Sequence, residues 1–235
     1  MIPWLGKEPV FPPDARALAE PNGLLAAGGA LTPDWLLAAY RRGIFPWFSE
    51  GEPILWWTPD PRLVLLPDQL RVSHSLRKVL RRQRFEVRVD TAFAAVMRAC
   101  AAPRAPGLGT WITPAMQAAY LRMHELGYAH SVECWREGRL VGGLYGMALG
   151  RVFFGESMFS RETDASKVAL AHLSRLLSAR GYVMIDCQMT TAHLQSMGGR
   201  EMPRVQFVDA LARATVEGPG PQRWPAQATR DFTWP

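Results

Sequence analysis

Residues 129–160 read AHSVECWREGRLVGGLYGMALGRVFFGESMFS, and their punctuation decides the fold. The pair Glu137-Gly138 separates AHSVECW from RLVGGLYGMAL, and Gly150 separates that run from RVFFGES. Apolar, β-branched and aromatic runs bounded by such turn signals read as three successive strands, the first two joined as a hairpin. DASKVALAHLSRLLSARG (164–181) follows, with apolar residues recurring near the 3.6-residue period and Asp164 as the expected cap of a long helix. YVMIDCQ (182–188) is then a further strand. Antiparallel strands, a helix and another strand imply an α+β domain.

Upstream, RLVLL (62–66) reads as a short strand and SLRKVLRRQ (75–83) as a basic helix capped by Ser73 or Ser75. FEVRV (85–89) alternates as a strand, TAFAAVMRACA (91–101) is helical, and Thr113-Pro114 opens a helix that Gly127 closes. Residues 1–61 are rich in Pro, Gly and Trp, with one helix after Thr32-Pro33 and a punctuated stretch, GIFPWFSEGEPILWWTPDPR (43–62), that reads as turns and a site-lining loop. Downstream lie a short helix, the helix PRVQFVDALARATVE (203–217) and a proline-rich, irregular tail. The expected organisation is therefore an N-terminal Pro/Trp-rich domain over 1–61, a main domain over 62–218 and a tail over 219–235.

The composition excludes several classes. The 235 residues are 48% hydrophobic and 20% charged, which is globular rather than disordered. No segment approaches the ~18 uncharged apolar residues of a membrane span, and MIPWLGKEPVFPPDAR carries no apolar core of a signal peptide, so a cytoplasmic protein is expected. Cys100, Cys134 and Cys187 form no CxxC pair and read as reduced thiols. The five histidines, at 74, 124, 130, 172 and 193, show no metal-ligand spacing, and no metal is expected. The net charge of +6 is compatible with a polyanionic partner.

Three features carry chemistry. In a strand, Asp186 and Gln188 share one face, and a carboxylate beside an amide at the end of a buried run needs partners. Glu156 also ends an apolar strand run, and with Asp186 it could form an acidic wall that selects a cation, or each could be a solvated strand end. Arg77 and Arg81, and Lys78 and Arg82, are i,i+4 pairs on one helix. They form either a solvated face or a phosphate contact, where counterion release would relieve their repulsion. The tryptophans Trp47, Trp56, Trp57 and Trp111 serve either as core or as stacking platforms for unpaired bases. RAPGLG (104–109) matches the R-x-x-G-x-G pyrophosphate loop of acyl-CoA-dependent acyltransferases, but Pro106 interrupts it and no helix follows directly.

YRRGIFPWF, PILWWTPDPR, TWIT, AHSVECW, LVGGLYG, VFFGESMFS, DASKVAL and MIDCQ…HLQSMGG resemble, in order, the motifs of the leucyl/phenylalanyl-tRNA–protein transferase family, over residues 20–210. Departures are Thr58 for Ser, Asp164 for Asn and SMGG for SLGA. The resemblance implies a small N-terminal domain and a GNAT-like acyltransferase domain, whose mixed, mostly antiparallel sheet is flanked by helices. It implies transfer of Leu or Phe (Met less well) from aminoacyl-tRNA to the N-terminal Arg or Lys of acceptor proteins, which creates a degradation signal and uses no cofactor. By the same resemblance, Asp186 and Gln188 lie at the reacting centre and Glu156 binds the acceptor. Trp47, Trp56, Trp57 and Trp111 would stack on the tRNA 3′-adenosine, and Arg77, Lys78, Arg81 and Arg82 would hold tRNA phosphates. Met158, Leu170 and Ile185 are candidates for the donor side-chain pocket and are equally well explained as core. Another acyl- or aminoacyltransferase and a non-catalytic RNA-binding protein are the rival classes. A binding protein would leave the acidic pair without a purpose.

Overall fold

The computed structural model describes residues 2–102 and 110–234, so RAPGLG (104–109) lies outside the described residues. Two sheets and seven α-helices form a mixed α+β structure over these residues. The first sheet uses only residues before Thr58. Its strands β1 (Trp4–Leu5), β2 (Leu24–Gly28), β3 (Phe45–Pro46) and β4 (Leu55–Trp57) run in the order β1-β2-β4-β3, with helix α1 (Pro33–Tyr40) inserted between β2 and β3. Pro33 opens α1, where its missing N–H costs nothing.

The chain then passes through β5 (Arg62–Leu65), α2 (His74–Arg81), β6 (Glu86–Val89), α3 (Phe93–Ala101) and α4 (Pro114–Glu125) to the three strands expected from residues 129–160. These are β7 (Ala129–Arg136), β8 (Arg139–Leu149) and β9 (Val152–Ser160). Helix α5 (Ala165–Ala179), β10 (Met184–Asp186), α6 (Ala192–Ser196), β11 (Arg200–Met202) and α7 (Arg204–Val216) complete the elements. The second sheet has the order β11-β5-β10-β9-β8-β7-β6 and is antiparallel except between β9 and β10, the pair that α5 connects.

The period of two along the central strands feeds both faces of this sheet. Tyr145, Met147 and Phe154 pack with α3, α4 and the first sheet, whereas Leu144, Ala148 and Phe153 pack with α2 and α5. Gly142 lets α5 lie close on β8, since a Cβ there would collide with the Ala165 Cβ.

Several local expectations are corrected. Asp164 precedes α5 with φ +70°, and its carboxylate accepts no backbone N–H; it pairs instead with Lys167 at 2.9 Å. The cap of α2 is Ser73, whose Oγ accepts the Leu76 N–H at 3.2 Å. Strand β10 ends at Asp186, so Gln188, at φ +61°, is not on a common strand face with it. Residues 217–234 form no helix or strand but are packed. Trp224 is buried, stacks on His130 with ring centroids 3.8 Å apart and donates its backbone N–H to Asp90, and the Val89 N–H bonds Ala226 O. Among the described residues, no helix is long and apolar enough to cross a membrane.

Candidate functional site

The site begins at an irregularity in β9. Tyr145 pairs with Ser157 and Gly146 with Gly155, which leaves Glu156 without a partner on β8. Such a bulge inserts one residue, bends the strand and re-aims a side chain. A Cβ at position 146 would collide with Phe154 O, so the close approach requires glycine there. On the other side, β10 ends at Asp186 opposite Phe154 while β9 runs on to Ser160. A cavity of about 680 Å³ opens where the two strands part.

Its walls differ in character. Leu144, Phe153, Met158, Leu170, Leu173 and Ile185 make an apolar wall. Phe45, Trp47 and Trp111 bring aromatic rings from the other side, and Glu156 and Gln188 lie at the junction. A second cavity, about 750 Å³ between α2, β6 and the C-terminal segment, shares no lining residue with the first and holds none of the predicted site residues.

Glu156 is buried and has three neutral donors. Tyr40 Oη donates to Oε1 at 2.6 Å, Tyr120 Oη to Oε2 at 3.2 Å, and Gln188 Nε2 to Oε1 at 3.1 Å. The two tyrosine hydroxyls also lie within hydrogen-bond reach of each other, so their two protons are shared among three contacts. Burial pushes the Glu156 carboxyl up from 4.5 to about 7; the donors from Tyr40, Gln188 and Tyr120 oppose that rise, and the nearby Asp186 charge adds to it. Burial, followed by the Glu156 charge, holds both tyrosines well above their ordinary value, so they stay protonated and donate. A carboxylate has about four lone-pair sites, which leaves Glu156 room for one further donor.

Asp186 is held differently. Arg62 Nε meets Oδ1 at 2.8 Å and Nη2 meets Oδ2 at 2.6 Å; the two side chains are 1% and 0% exposed. Asp186 Oδ1 also accepts the Gln188 N–H at 2.8 Å. The left-handed backbone of Gln188 costs a non-glycine residue about 1–3 kcal/mol, which this bond helps offset. Breaking a buried pair of this kind typically costs about 3–5 kcal/mol, because one charge is left uncompensated.

The expected acidic wall is thus one acid facing the cavity, Glu156, and one acid neutralised by a guanidinium, Asp186, which does not line the cavity. Glu156, Gln188, Trp47, Trp111, Met158, Leu170 and Ile185 are brought together around it. Trp56 is not available for stacking: it is fully buried, its N–H bonds Gly28 O at 2.8 Å, and it stacks on Trp35. Trp57 is buried too, with its N–H on Trp47 O at 2.7 Å and its ring edge-on to Trp47, so it supports that ring from behind. Arg77, Lys78, Arg81 and Arg82 are exposed on α2 and at its C-cap, and no ion pair engages them among the described residues. Arg84 instead pairs with Glu162 at 3.4 Å. The sequence reading missed Tyr40, Tyr120 and Arg62 as site residues. Two of these sat inside quoted motifs, YRRGIFPWF and PILWWTPDPR, as polar residues in otherwise apolar or proline-rich surroundings.

An apolar wall, two indoles and one unneutralised carboxylate around a single cavity can hold an apolar side chain, a planar ring and a cation at once. The family model described as leucyl/phenylalanyl-tRNA protein transferase matches residues 64–212, and the model of that family's N-terminal domain matches residues 29–60. The chain is 71% identical over 234 residues to the leucyl/phenylalanyl-tRNA–protein transferase of Azoarcus sp. (strain BH72), covering all of both chains. It is 66% identical to that of Aromatoleum aromaticum, covering 99% of this chain and 100% of that one. Among solved structures, a GCN5-related N-acetyltransferase from Kribbella flavida aligns over 73% of this chain and 61% of that chain, at 13% identity and a TM-score of 0.38, too loose a likeness to carry an argument. On the matches of sequence, the chain belongs to the leucyl/phenylalanyl-tRNA–protein transferase family.

Proposed function

We propose that this chain transfers Leu or Phe, and Met less well, from aminoacyl-tRNA to the N-terminal Arg or Lys of acceptor proteins in the cytoplasm, marking them for N-end-rule degradation. The observation that carries this reading is the single cavity between β9 and β10, where an apolar wall meets two tryptophans and Glu156. Met158, Leu170 and Ile185 receive the donor's side chain, Trp47 and Trp111 take the terminal adenosine, and Glu156 faces the acceptor's positive charge. Exposed Arg77, Lys78, Arg81 and Arg82 hold phosphates of the acceptor stem. Residues 1–61 act as an N-terminal domain, residues 62–218 as a GNAT-like catalytic domain and residues 219–235 as a tail. The mixed sheet, with its parallel β9–β10 pair, supports the catalytic assignment.

The donor ester is already activated, so the main task is to align an amine with its carbonyl carbon. The amine nitrogen bonds that carbon, the bond to the ribose 3′-oxygen breaks, and the proton lost by the amine goes to the departing oxygen. Gln188 orients the amine. Asp186, engaged by Arg62 and the Gln188 N–H, contributes to that orientation rather than taking the proton. The test is the acyl source. Purified protein supplied with Phe-tRNA and an Arg-initiated protein, without ATP or coenzyme A, should label that protein. Labelling only with acetyl-CoA would assign it to another acyltransferase class, and tight tRNA binding without transfer would make it a binding protein.

A further inference from the structure

We infer that Arg62 is a positioning residue for the transfer reaction: it fixes Asp186 so that the Gln188 backbone is held in its left-handed turn and the Gln188 amide is aimed at Glu156. This rests on the reaction proposed above.

Arg62 stands at the start of β5, the first strand after the N-terminal sheet, and each of its three side-chain nitrogens has a partner. Nε and Nη2 take the two oxygens of Asp186, and Nη1 donates to Gly43 O at 3.0 Å. The guanidinium lies between two rings, 4.9 Å from the Phe45 centroid and 4.6 Å from that of Phe207 on α7. It therefore joins four parts of the fold: the turn after α1, β3, α7 and the end of β10. The turn after α1 matters because Tyr40, three residues before Gly43, donates to Glu156. From Arg62 one route runs through Asp186 and Gln188 to Glu156 Oε1, and another through Gly43 and Tyr40 to the same oxygen. Two separate supports thus converge on one oxygen of the carboxylate and leave Oε2, which accepts only from Tyr120, the open site for the acceptor.

The need for such a support follows from Gln188. A glutamine at φ +61° relaxes toward the right-handed or extended regions unless its N–H is held. Asp186 Oδ1 holds it, and a fully buried carboxylate keeps its place only with a fixed counter-charge. Lysine offers a single point charge and cannot reproduce a planar fork that reaches two carboxylate oxygens and a carbonyl together.

Arg62 does not line the cavity, so well above pH 7, where Glu156 is ionised in every variant, its loss should lower turnover and leave the donor and acceptor KM nearly unchanged. A misplacement of about 1 Å can cost on the order of 10²-fold. The experiment compares wild type, Arg62→Lys, Arg62→Met, Asp186→Asn and Arg62→Met/Asp186→Asn in single-turnover transfer from Phe-tRNA to an Arg-initiated peptide, with thermal melts to verify folding. The double variant removes both charges and keeps the test available if Arg62→Met alone fails to fold. Expected are a loss of roughly tenfold for Lys, about 10²-fold for Met, and a double variant no slower than the slower single variant, because both changes cut one route. Multiplying losses, wild-type turnover in Arg62→Met or the double variant, or a loss confined to KM would overturn the inference. A second readout does not depend on the reaction. Freed from Gln188, Glu156 loses one of its three donors, so its carboxyl ¹³C titration midpoint should move up in Arg62→Lys, which keeps the Asp186 charge. An unchanged midpoint refutes the positioning role even if the wild type transfers, and a wild type that transfers nothing refutes the reaction while this titration still tests Arg62.

Discussion

Replacing Glu156 by Gln should change how the protein's stability depends on pH. The Glu156 carboxyl titrates at its ordinary 4.5 in the unfolded chain and at about 7 in the folded one, chiefly because it is buried. Between those values the folded state binds the extra proton, so the stabilising contribution is complete below pH 4.5 and is lost as pH rises through 7. The gap corresponds to roughly 3 kcal/mol at most, at about 1.4 kcal/mol per tenfold change in proton affinity. The amide introduced by Glu156→Gln has no proton to exchange. Urea unfolding of both proteins from pH 5 to 8 should therefore give a stability difference that swings toward the variant as pH rises, by about 2–3 kcal/mol across the range. His130, His172 and His193 are common to both and cancel in the difference. The same titration sets acceptor binding: as Glu156 protonates below pH 7, the KM for an Arg-initiated acceptor should rise up to about tenfold per pH unit in the wild type and stay flat in the variant. Parallel stability profiles would show that Glu156 does not change charge near neutrality, and the reasoning would fail.

Three further outcomes are expected. Asp186→Asn should slow single-turnover transfer by about 10²-fold at pH 6.5 and equally at pH 9, because an ion-paired carboxylate orients rather than takes a proton; recovery by pH 9 would refute this. Neutralising two of Arg77, Lys78, Arg81 and Arg82 should weaken aminoacyl-tRNA binding and flatten its log–log salt dependence by roughly 0.7–0.9 per contact, with little effect on a short aminoacyl-adenosine donor. Trp111→Ala should weaken that short donor by ~1–3 kcal/mol, whereas Trp56→Phe should lower the melting temperature and leave donor affinity unchanged; donor loss in Trp56→Phe would reverse the two roles.

The strands from 129 to 160 were legible because Gly138 and Gly150 mark their turns, and α4 because Thr113-Pro114 and Gly127 mark its ends. These are local signals, decided within a few residues. The bulge at Glu156 was not legible, since a reading by twos assumes an uninterrupted pleat and nothing in FFGESM states which residue loses its partner. The Arg62–Asp186 pair joins residues 124 apart in sequence, and neither residue type predicts the other at that distance. Reading Asp186 and Gln188 on one face failed for a related reason: the strand stops at Asp186 because its carboxylate captures the following backbone. Tryptophan is ambiguous by nature, large enough for core and polar enough for a rim, and only burial separates Trp56 from Trp111. Strand β11, REM, lies at the edge of its sheet with two exposed residues of three, so it carries no apolar alternation to read.

The central claim is that one cavity joins an aminoacyl ester to a cationic N-terminus. Mass spectrometry of two peptides identical except for their first residue, Arg or Ala, after incubation with wild-type protein and Phe-tRNA tests it most directly. The predicted result is one added phenylalanine at the N-terminus of the Arg peptide, with the Ala peptide unmodified. No adduct on either peptide, or equal addition to both, would contradict the account.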